Sequence, residues 1–438
     1  MNYEAFFKVS YEYFDYFVYM SILLFAVLYL FSHRLSINGL LDPFTFTYTF
    51  TYSTSYSVII LLYIFGHISD HTFSIFSFYG ILFLISINIF SRISYAPSDY
   101  KFFSIFCFDK KKAFVFSIIF VYLLLVAFTI KTKGFSLFTE TNRFEDNRGL
   151  GPIVRILEMC TFTIICIISI YLYRLRLNIL RKVFLYAIFI TFMIFNAIIS
   201  GAKADLLFYI FAALVSVKIF NPNFSVSIKN MVMIIFLSLT FVFVVLFYNF
   251  SSSINMNLEY GEIFELLFRR LTDRILSNGD MYYMGLPNDV YEGISVNNIL
   301  VVMLAPILSY SFMSKLAGYD IGQFEIGKQL LLAHYSGNTI AGGPTDHFDF
   351  FALLYFGVIG GAIFIVLLAL LLCFLRKMTV YGRGDIISSA LVTVFWMKSL
   401  SWLLKPGLFL GTILYFTVFL LLIRAICYLL CINQRSAF

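Results

Sequence analysis

Residues 342–351, GGPTDHFDFF, set two aspartates and a histidine directly ahead of the apolar run FALLYFGVIGGAIFIVLLALLLCF. Histidine, with an unperturbed pKa of about 6.5, exchanges protons close to neutral pH, and a neighbouring carboxylate can orient it. Asp346, His347 and Asp349 are therefore the first candidates for proton transfer, with His347 as base and one of the aspartates as its partner. The competing reading is mechanical: Asp346 or Asp349 caps the following helix and His347 rests at a membrane interface. His334, in LLLAHYSGN, is a further candidate beside them. His67, Asp70 and His71, in GHISDH, belong to a turn too short to scaffold zinc with a clear third ligand.

A second set of candidates is cationic. In EIFELLFRRLTDRILSN, apolar Ile263, Phe264, Leu266, Leu267, Leu271 and Ile275 alternate with Arg269, Arg270 and Arg274 at helical spacing. This pattern predicts an amphipathic helix lying on a membrane surface. Arg270 and Arg274, four apart, share one face. These guanidinium groups either meet solvent and lipid phosphates or form a site for an anionic ligand, whose oxygens they match as bidentate donors. Lys203, in NAIISGAKADLLFYIFAAL, falls at the N-terminal end of a helix, where free backbone N–H groups attract anions. Its alternatives are pairing with Asp205 or with a lipid headgroup.

The elements that must position these residues are membrane helices. The 438-residue chain is 61% hydrophobic and only 13% charged, against roughly 45–50% and about 25% in soluble proteins. With about 20 apolar residues needed per crossing, eleven spans are expected: 14–32, 43–65, 73–91, 113–130, 153–173, 183–199, 204–220, 229–250, 351–375, 386–404 and 407–431. The run 299–313 is short, contains Pro306 and is expected not to cross. Span 43–65 alternates Thr with aromatic residues at a strand-like period, but an isolated strand in lipid leaves its backbone unpaired, so a helix is expected. Its hydroxyls either bond back to carbonyls one turn earlier or line a polar groove. The N-terminal residues MNYEAFFKVSYEYFD lack the basic leader of a cleavable signal, so the first span is expected to be retained. Six cysteines lie in or beside apolar segments without CxxC pairs, which predicts neither disulfides nor a metal site.

Lys and Arg gather on the cytoplasmic side of membrane proteins. The basic loops 92–112 and 174–182 are placed inside, which puts the N-terminus outside and the C-terminus inside. The chain then divides into spans 1–8 within residues 1–250, including an outer loop at 131–152, a large outer loop at 251–350 with helical periodicity, and the closing spans within 351–438.

Three patches give the chain a resemblance to the Wzy-type O-antigen (oligosaccharide repeat-unit) polymerases. SGAKADLLFYI resembles a small-residue turn with a basic residue, often Gly-Ser-Arg, that begins a helix in that family; here the base is Lys203. FRRLTDRILSNGDMYYMG resembles the arginine-bearing segment of the large periplasmic loop, with Arg274 eleven residues before Gly285. PTDHFDFFALLYFGVIGGAIF resembles the closing segment, in which Tyr355, Gly357 and Gly360 match Tyr-x-Gly-x-x-Gly. The related ligases carry a histidine near the position of His347.

The resemblance implies an all-α polytopic membrane protein of 11–12 transmembrane helices with a GT-C-like fold, in the bacterial inner membrane, with amphipathic helices in its periplasmic loop. It implies an enzyme that joins undecaprenyl-diphosphate-linked oligosaccharide repeat units, with diphosphate as leaving group. Negative charge builds on that diphosphate, and preorganised cations aimed at developing charge are often the largest catalytic contribution. Arg269, Arg270, Arg274 and Lys203 are assigned to it, with Arg143 and Arg148 of the smaller loop as further candidates. His347, assisted by Asp346 or Asp349, takes the proton of the acceptor hydroxyl, or else orients sugar hydroxyls. No cofactor and no metal are expected. The expected partners are the lipid-linked glycan, membrane lipid and a chain-length regulator protein, with no nucleic acid. The alternatives are an O-antigen ligase, which shares donor and chemistry, and a lipid-linked oligosaccharide flippase or other transporter. Internal repeats and midplane charges, which favour a transporter, are not evident in the sequence. Cysteines introduced at positions 270 and 111 are expected to react with an impermeant maleimide from opposite sides of the membrane; labelling from one side only breaks this topology.

Overall fold

The structure, a computed structural model, describes residues 1–93, 108, 110–133, 150–200, 204–233, 236, 237, 240, 260–337 and 342–435. Lys203, Arg143 and Arg148 lie outside them, as does most of the expected span 229–250. Among the described residues every regular element is a helix. In chain order these are α1 (Tyr3–Glu12), α2 (Phe14–Ser32), a π-helical turn Thr45–Phe50 leading into α3 (Thr51–Ile64), α4 (Asp70–Arg92), α5 (Lys111–Lys133), α6 (Gly151–Arg174), α7 (Ile179–Ser200) and α8 (Asp205–Phe220). The large loop supplies α9 (Tyr260–Leu276), α10 (Asp280–Gly285), α11 (Ile299–Leu308), α12 (Tyr310–Ala317) and α13 (Ile326–His334). The chain closes with α14 (Phe348–Met378), α15 (Ile386–Ser399), α16 (Ser401–Leu404) and α17 (Phe409–Arg435).

Eight of the described helical segments are long and apolar enough to cross a membrane. The protein is thus an all-α, multi-pass membrane protein. The expected span at 43–65 is helical, and most of its hydroxyls bond back along the chain: Ser53 Oγ donates to Phe50 O at 2.8 Å and Ser57 Oγ to Ser53 O at 2.7 Å. The segment 299–313 breaks in two. Ile299–Leu308 spans only about 15 Å at helical rise, and Ser309, at φ 73°, ends it before α12 begins.

The connections sort to two ends of the bundle. At one end Lys111 pairs with Asp385, the Arg376 guanidinium donates to Ser36 O at 3.3 Å, and the Lys377 ammonium donates to Phe90 O at 3.0 Å. At the other, the turn between the last two spans meets the large loop through Lys405 and Glu325, 3.1 Å apart. This is the partition into alternate loops that the basic residues predict.

The large loop folds back on the bundle. Phe6 of α1 stacks on Tyr283 of α10 with ring centroids 4.1 Å apart, and Met281, Tyr282, Met284 and Leu330 bury with Val58, Phe350 and Phe351 in one apolar cluster. Below it, α4 and α14 pack closely. α14 is interrupted at Gly357 (φ 63°, ψ −171°), a conformation that only glycine adopts cheaply. The interruption frees carbonyls that have no water to meet in an apolar layer. Tyr79 of α4 satisfies them, its hydroxyl lying 3.0 Å from Gly357 O and 2.9 Å from Val358 O. One turn on, a Cβ at Gly361 would lie 2.3 Å from the same hydroxyl. Replacing Gly357 by Val is expected to cost about 1–3 kcal/mol from the forced φ, read as a lowered unfolding temperature in detergent. Gly151→Ala, where a Cβ meets nothing within 4 Å, should leave that temperature unchanged.

Candidate functional site

α14 begins at Phe348, and His347 occupies its N-cap position with extended backbone (φ −49°, ψ 147°). The His347 side chain does not cap the helix. Neither aspartate is the N-cap residue, and His347 is fully buried rather than interfacial. The amide of Phe348 instead meets the Tyr52 hydroxyl at 3.3 Å, and that hydroxyl donates to Leu403 O at 2.5 Å. Tyr52 thereby ties α3, the start of α14 and α16 into one wall, and its ring lies 4.8 Å from the His347 ring.

A second ring against His347 is that of Tyr282, 5.3 Å away. Its hydroxyl sits between the two oxygens of Asp349, at 2.8 and 2.9 Å, and 3.1 Å from His347 Nδ1. A phenol has one proton. Given to the Asp349 carboxylate, it leaves the phenol oxygen to accept from Nδ1–H, which places the free lone pair of the imidazole on Nε2. Among the described residues Nε2 has no hydrogen-bond partner, and His347 has no exposure to solvent. An orphaned buried nitrogen costs about 1–3 kcal/mol, so this is a strained position unless a ligand atom meets it. Burial alone drives the His347 pKa down to about 3, which keeps the imidazole neutral and its lone pair available at neutral pH.

Several close contacts hold Tyr282 in place. At Gly279 a Cβ would come within 2.6 Å of Val58, and at Gly285 within 2.7 Å of Phe350, so the backbone runs directly against α3 and α14. The Ser55 hydroxyl donates to Asn278 O at 2.7 Å, and the Asn278 side-chain amide donates to Thr54 Oγ1 at 3.0 Å. Like the Tyr52 hydroxyl, these side chains of span 43–65 face another element. His334 Nε2 bonds Met284 O at 2.8 Å, so this histidine braces α10 and does not join the His347–Tyr282–Asp349 group.

Asp346 turns away from His347. It faces a cavity of about 20 Å³, bounded by Tyr310, Glu325, Tyr355 and Lys405, enough for about one water. Burial pushes the Asp346 carboxyl up to about 6, with Lys405 pulling the other way and Glu325 adding to the rise. Burial works against charge on Glu325 as well, but Lys405, the Tyr310 hydroxyl and Lys328 together outweigh it and hold that carboxyl below its usual value. Burial opposes the charge on Lys405 too, and Tyr310, Glu325 and Asp346 together hold its ammonium above its usual value. About a third of the Lys405 side chain, 37%, remains exposed, so water tempers all three effects.

The arginines stand apart from both clusters. Arg269 lies over the Tyr11 ring, 5.3 Å from its centroid, while the Tyr11 hydroxyl donates to Asp273 at 2.7 Å. Arg269, Arg270 and Arg274 are exposed on α9, which forms as an amphipathic helix with Leu267 and Leu276 buried. Among the described residues, no hydrogen bond or ion pair joins any of the three to His347, Asp346 or Asp349. Sequence reasoning had no hold on Tyr282, Tyr310, Glu325 or Lys405. One signal was present: Lys405 is the single charge in a two-residue connection between apolar runs.

No family model matches the chain, and neither a curated protein nor a solved structure matches it.

Lys405→Met leaves Glu325 and Asp346 without their cation. Because the pair is only half-buried, the expected loss is about 1–3 kcal/mol, below the roughly 3–5 kcal/mol of a fully buried pair. The double variant Lys405→Met/Glu325→Leu should recover most of it in thermal unfolding. No recovery means that Lys405 acts through packing alone.

Proposed function

We propose that this protein is a membrane glycosyltransferase that joins polyprenyl-diphosphate-linked oligosaccharide repeat units, an O-antigen polymerase of the Wzy type. In this reading eleven spans of a GT-C-like fold lie in a bacterial inner membrane, with the large loop periplasmic. The observation that carries the reading is the orphaned Nε2 of His347, backed through Tyr282 by Asp349.

The acceptor hydroxyl attacks the anomeric carbon of the donor chain. A new C–O bond forms, the bond to the diphosphate breaks, and the diphosphate departs with the bonding electrons. The hydroxyl proton passes to His347 Nε2. Imidazolium formation is unfavourable in so buried a place, and the Asp349 carboxylate, one hydroxyl away, opposes that penalty as the proton arrives. Nε2 is sealed from solvent in this structure, so acceptor entry has to uncover it. Arg269, Arg270 and Arg274 are exposed and without ion-pair partners among the described residues, which leaves their donors free for diphosphate oxygens. Lys203, Arg143 and Arg148 complete the proposed cationic set.

Cell-surface glycan from a deletion strain should show a single repeat unit on its lipid in place of a ladder; loss of even the single unit points to a ligase or flippase. Restored with variants, His347→Ala should give no ladder. Tyr282→Phe should elongate roughly 10²-fold more slowly, the lower end of general-base contributions, and Arg274→Ala should shorten the chains with protein still in the membrane. A wild-type ladder from both His347→Ala and Tyr282→Phe removes the assignment.

A further inference from the structure

A second concavity lies at the far end of α4. Phe76 of α4 packs against the Tyr282 ring at 5.6 Å, whereas Arg92 follows sixteen residues later, about 24 Å along the helix. There α2 and α4 enclose a groove of about 640 Å³, within the roughly 300–1,000 Å³ of ordinary ligand sites. Its walls are Val27 and Phe31 from α2 and Ile81, Ile85 and Ile89 from α4, all well exposed.

The polar groups of the groove are nearly all spent. Asn88 donates its amide to Phe31 O at 2.7 Å and to Leu84 O at 3.0 Å, which satisfies a last-turn carbonyl of α2 that its own helix cannot. Lys377, on the neighbouring α14, spends its ammonium on the carbonyl of Phe90. Arg92 is different. It is exposed in the last turn of α4, lines the groove, and has no ion-pair partner among the described residues.

A lone guanidinium at the mouth of an apolar slot, where a span ends, matches a molecule with an anion on a hydrocarbon chain. We propose that an anionic diacyl phospholipid of the phosphatidylglycerol kind occupies this groove, its phosphate on Arg92 and one acyl chain along Ile81, Ile85 and Ile89. Guanidinium donors match phosphate oxygens in pairs, and basic pockets between membrane helices are where anionic headgroups bind. The polyprenyl carrier is the weaker occupant, because its diphosphate would then sit at the end of the bundle opposite His347.

The test is independent of the enzymatic reading. Delipidated full-length protein is titrated with dioleoylphosphatidylglycerol or dioleoylphosphatidylcholine and bound lipid is counted by native mass spectrometry. One phosphatidylglycerol per chain should bind about fivefold to tenfold more tightly than phosphatidylcholine, the scale of one basic residue near a headgroup. Arg92→Gln should erase that preference, Ile85→Trp should weaken both lipids by filling the slot, and Arg181→Gln, a basic residue elsewhere on the surface, should change neither. Equal binding of both lipids by the wild-type protein, or a preference that survives Arg92→Gln, shows adventitious annular lipid and overturns the proposal. Undecaprenyl diphosphate binding more tightly than phosphatidylglycerol, with the same sensitivity to Arg92→Gln and Ile85→Trp, overturns it in favour of the carrier.

Discussion

The hydroxyl of Tyr282 joins two parts of the chain that lie far apart in sequence, the large loop and the membrane helix that starts at Phe348. It has one proton to give and one oxygen to receive with, and Asp349 and His347 take one each. In a medium too dry for water to substitute, that stoichiometry fixes the tautomer of the histidine and the rotamer of the aspartate. The rest of the loop is arranged around keeping Tyr282 where it is. Glycines at 279 and 285 let the backbone touch α3 and α14, and Phe6 covers the adjacent Tyr283 from above.

The same short stretch feeds two separate polar clusters, a consequence of backbone geometry. His347 has polyproline-like backbone, in which successive side chains diverge by about a third of a turn, and α14 begins only at Phe348. Asp346 therefore leaves toward Glu325 and Lys405. Asp349, already in the first turn of the helix, comes back round toward Tyr282. One cluster sets two carboxylates against one ammonium beside room for a single water; in the other, no described residue hydrogen-bonds His347 Nε2. That asymmetry is what supports the proposed role of His347, while Lys405 and Glu325 form a structural ion pair.

Between the two ends, the α4–α14 pair faces a problem that belongs to membranes. A break in a helix is costly where no water reaches, yet α14 is broken at Gly357, and the tyrosine that repairs it also demands a glycine at 361. A break repaired by a side chain on another helix couples the placement of α14, and so of His347 at its head, to the position of α4. The groove beside Arg92 lies on the other end of that same helix, so its occupant bears on α4 as well.

Reading along the chain, the membrane class, most of the spans, the sorting of loops to two ends and the amphipathic helix, with Leu267 on its buried side, were all legible. The loop sorting rests on the local run of basic residues, and the others on burial of apolar surface, which adds up residue by residue and leaves its period in the local order. The stretch holding His347 and Asp349 was legible for the same local reason, as ionisable groups set against an apolar run. What the sequence could not supply was pairing. Tyr282 is one of thirty tyrosines, and nothing near it announces a hydroxyl that reaches His347 and Asp349. Glu325 and Lys405, eighty residues apart, meet only because α16 and the large loop close on one another. Which of the two aspartates serves the histidine was likewise undecided until the backbone direction at residue 347 was known. A buried polar group depends on one partner at hydrogen-bonding distance, wherever in the chain that partner lies, and only the folded arrangement in three dimensions decides it.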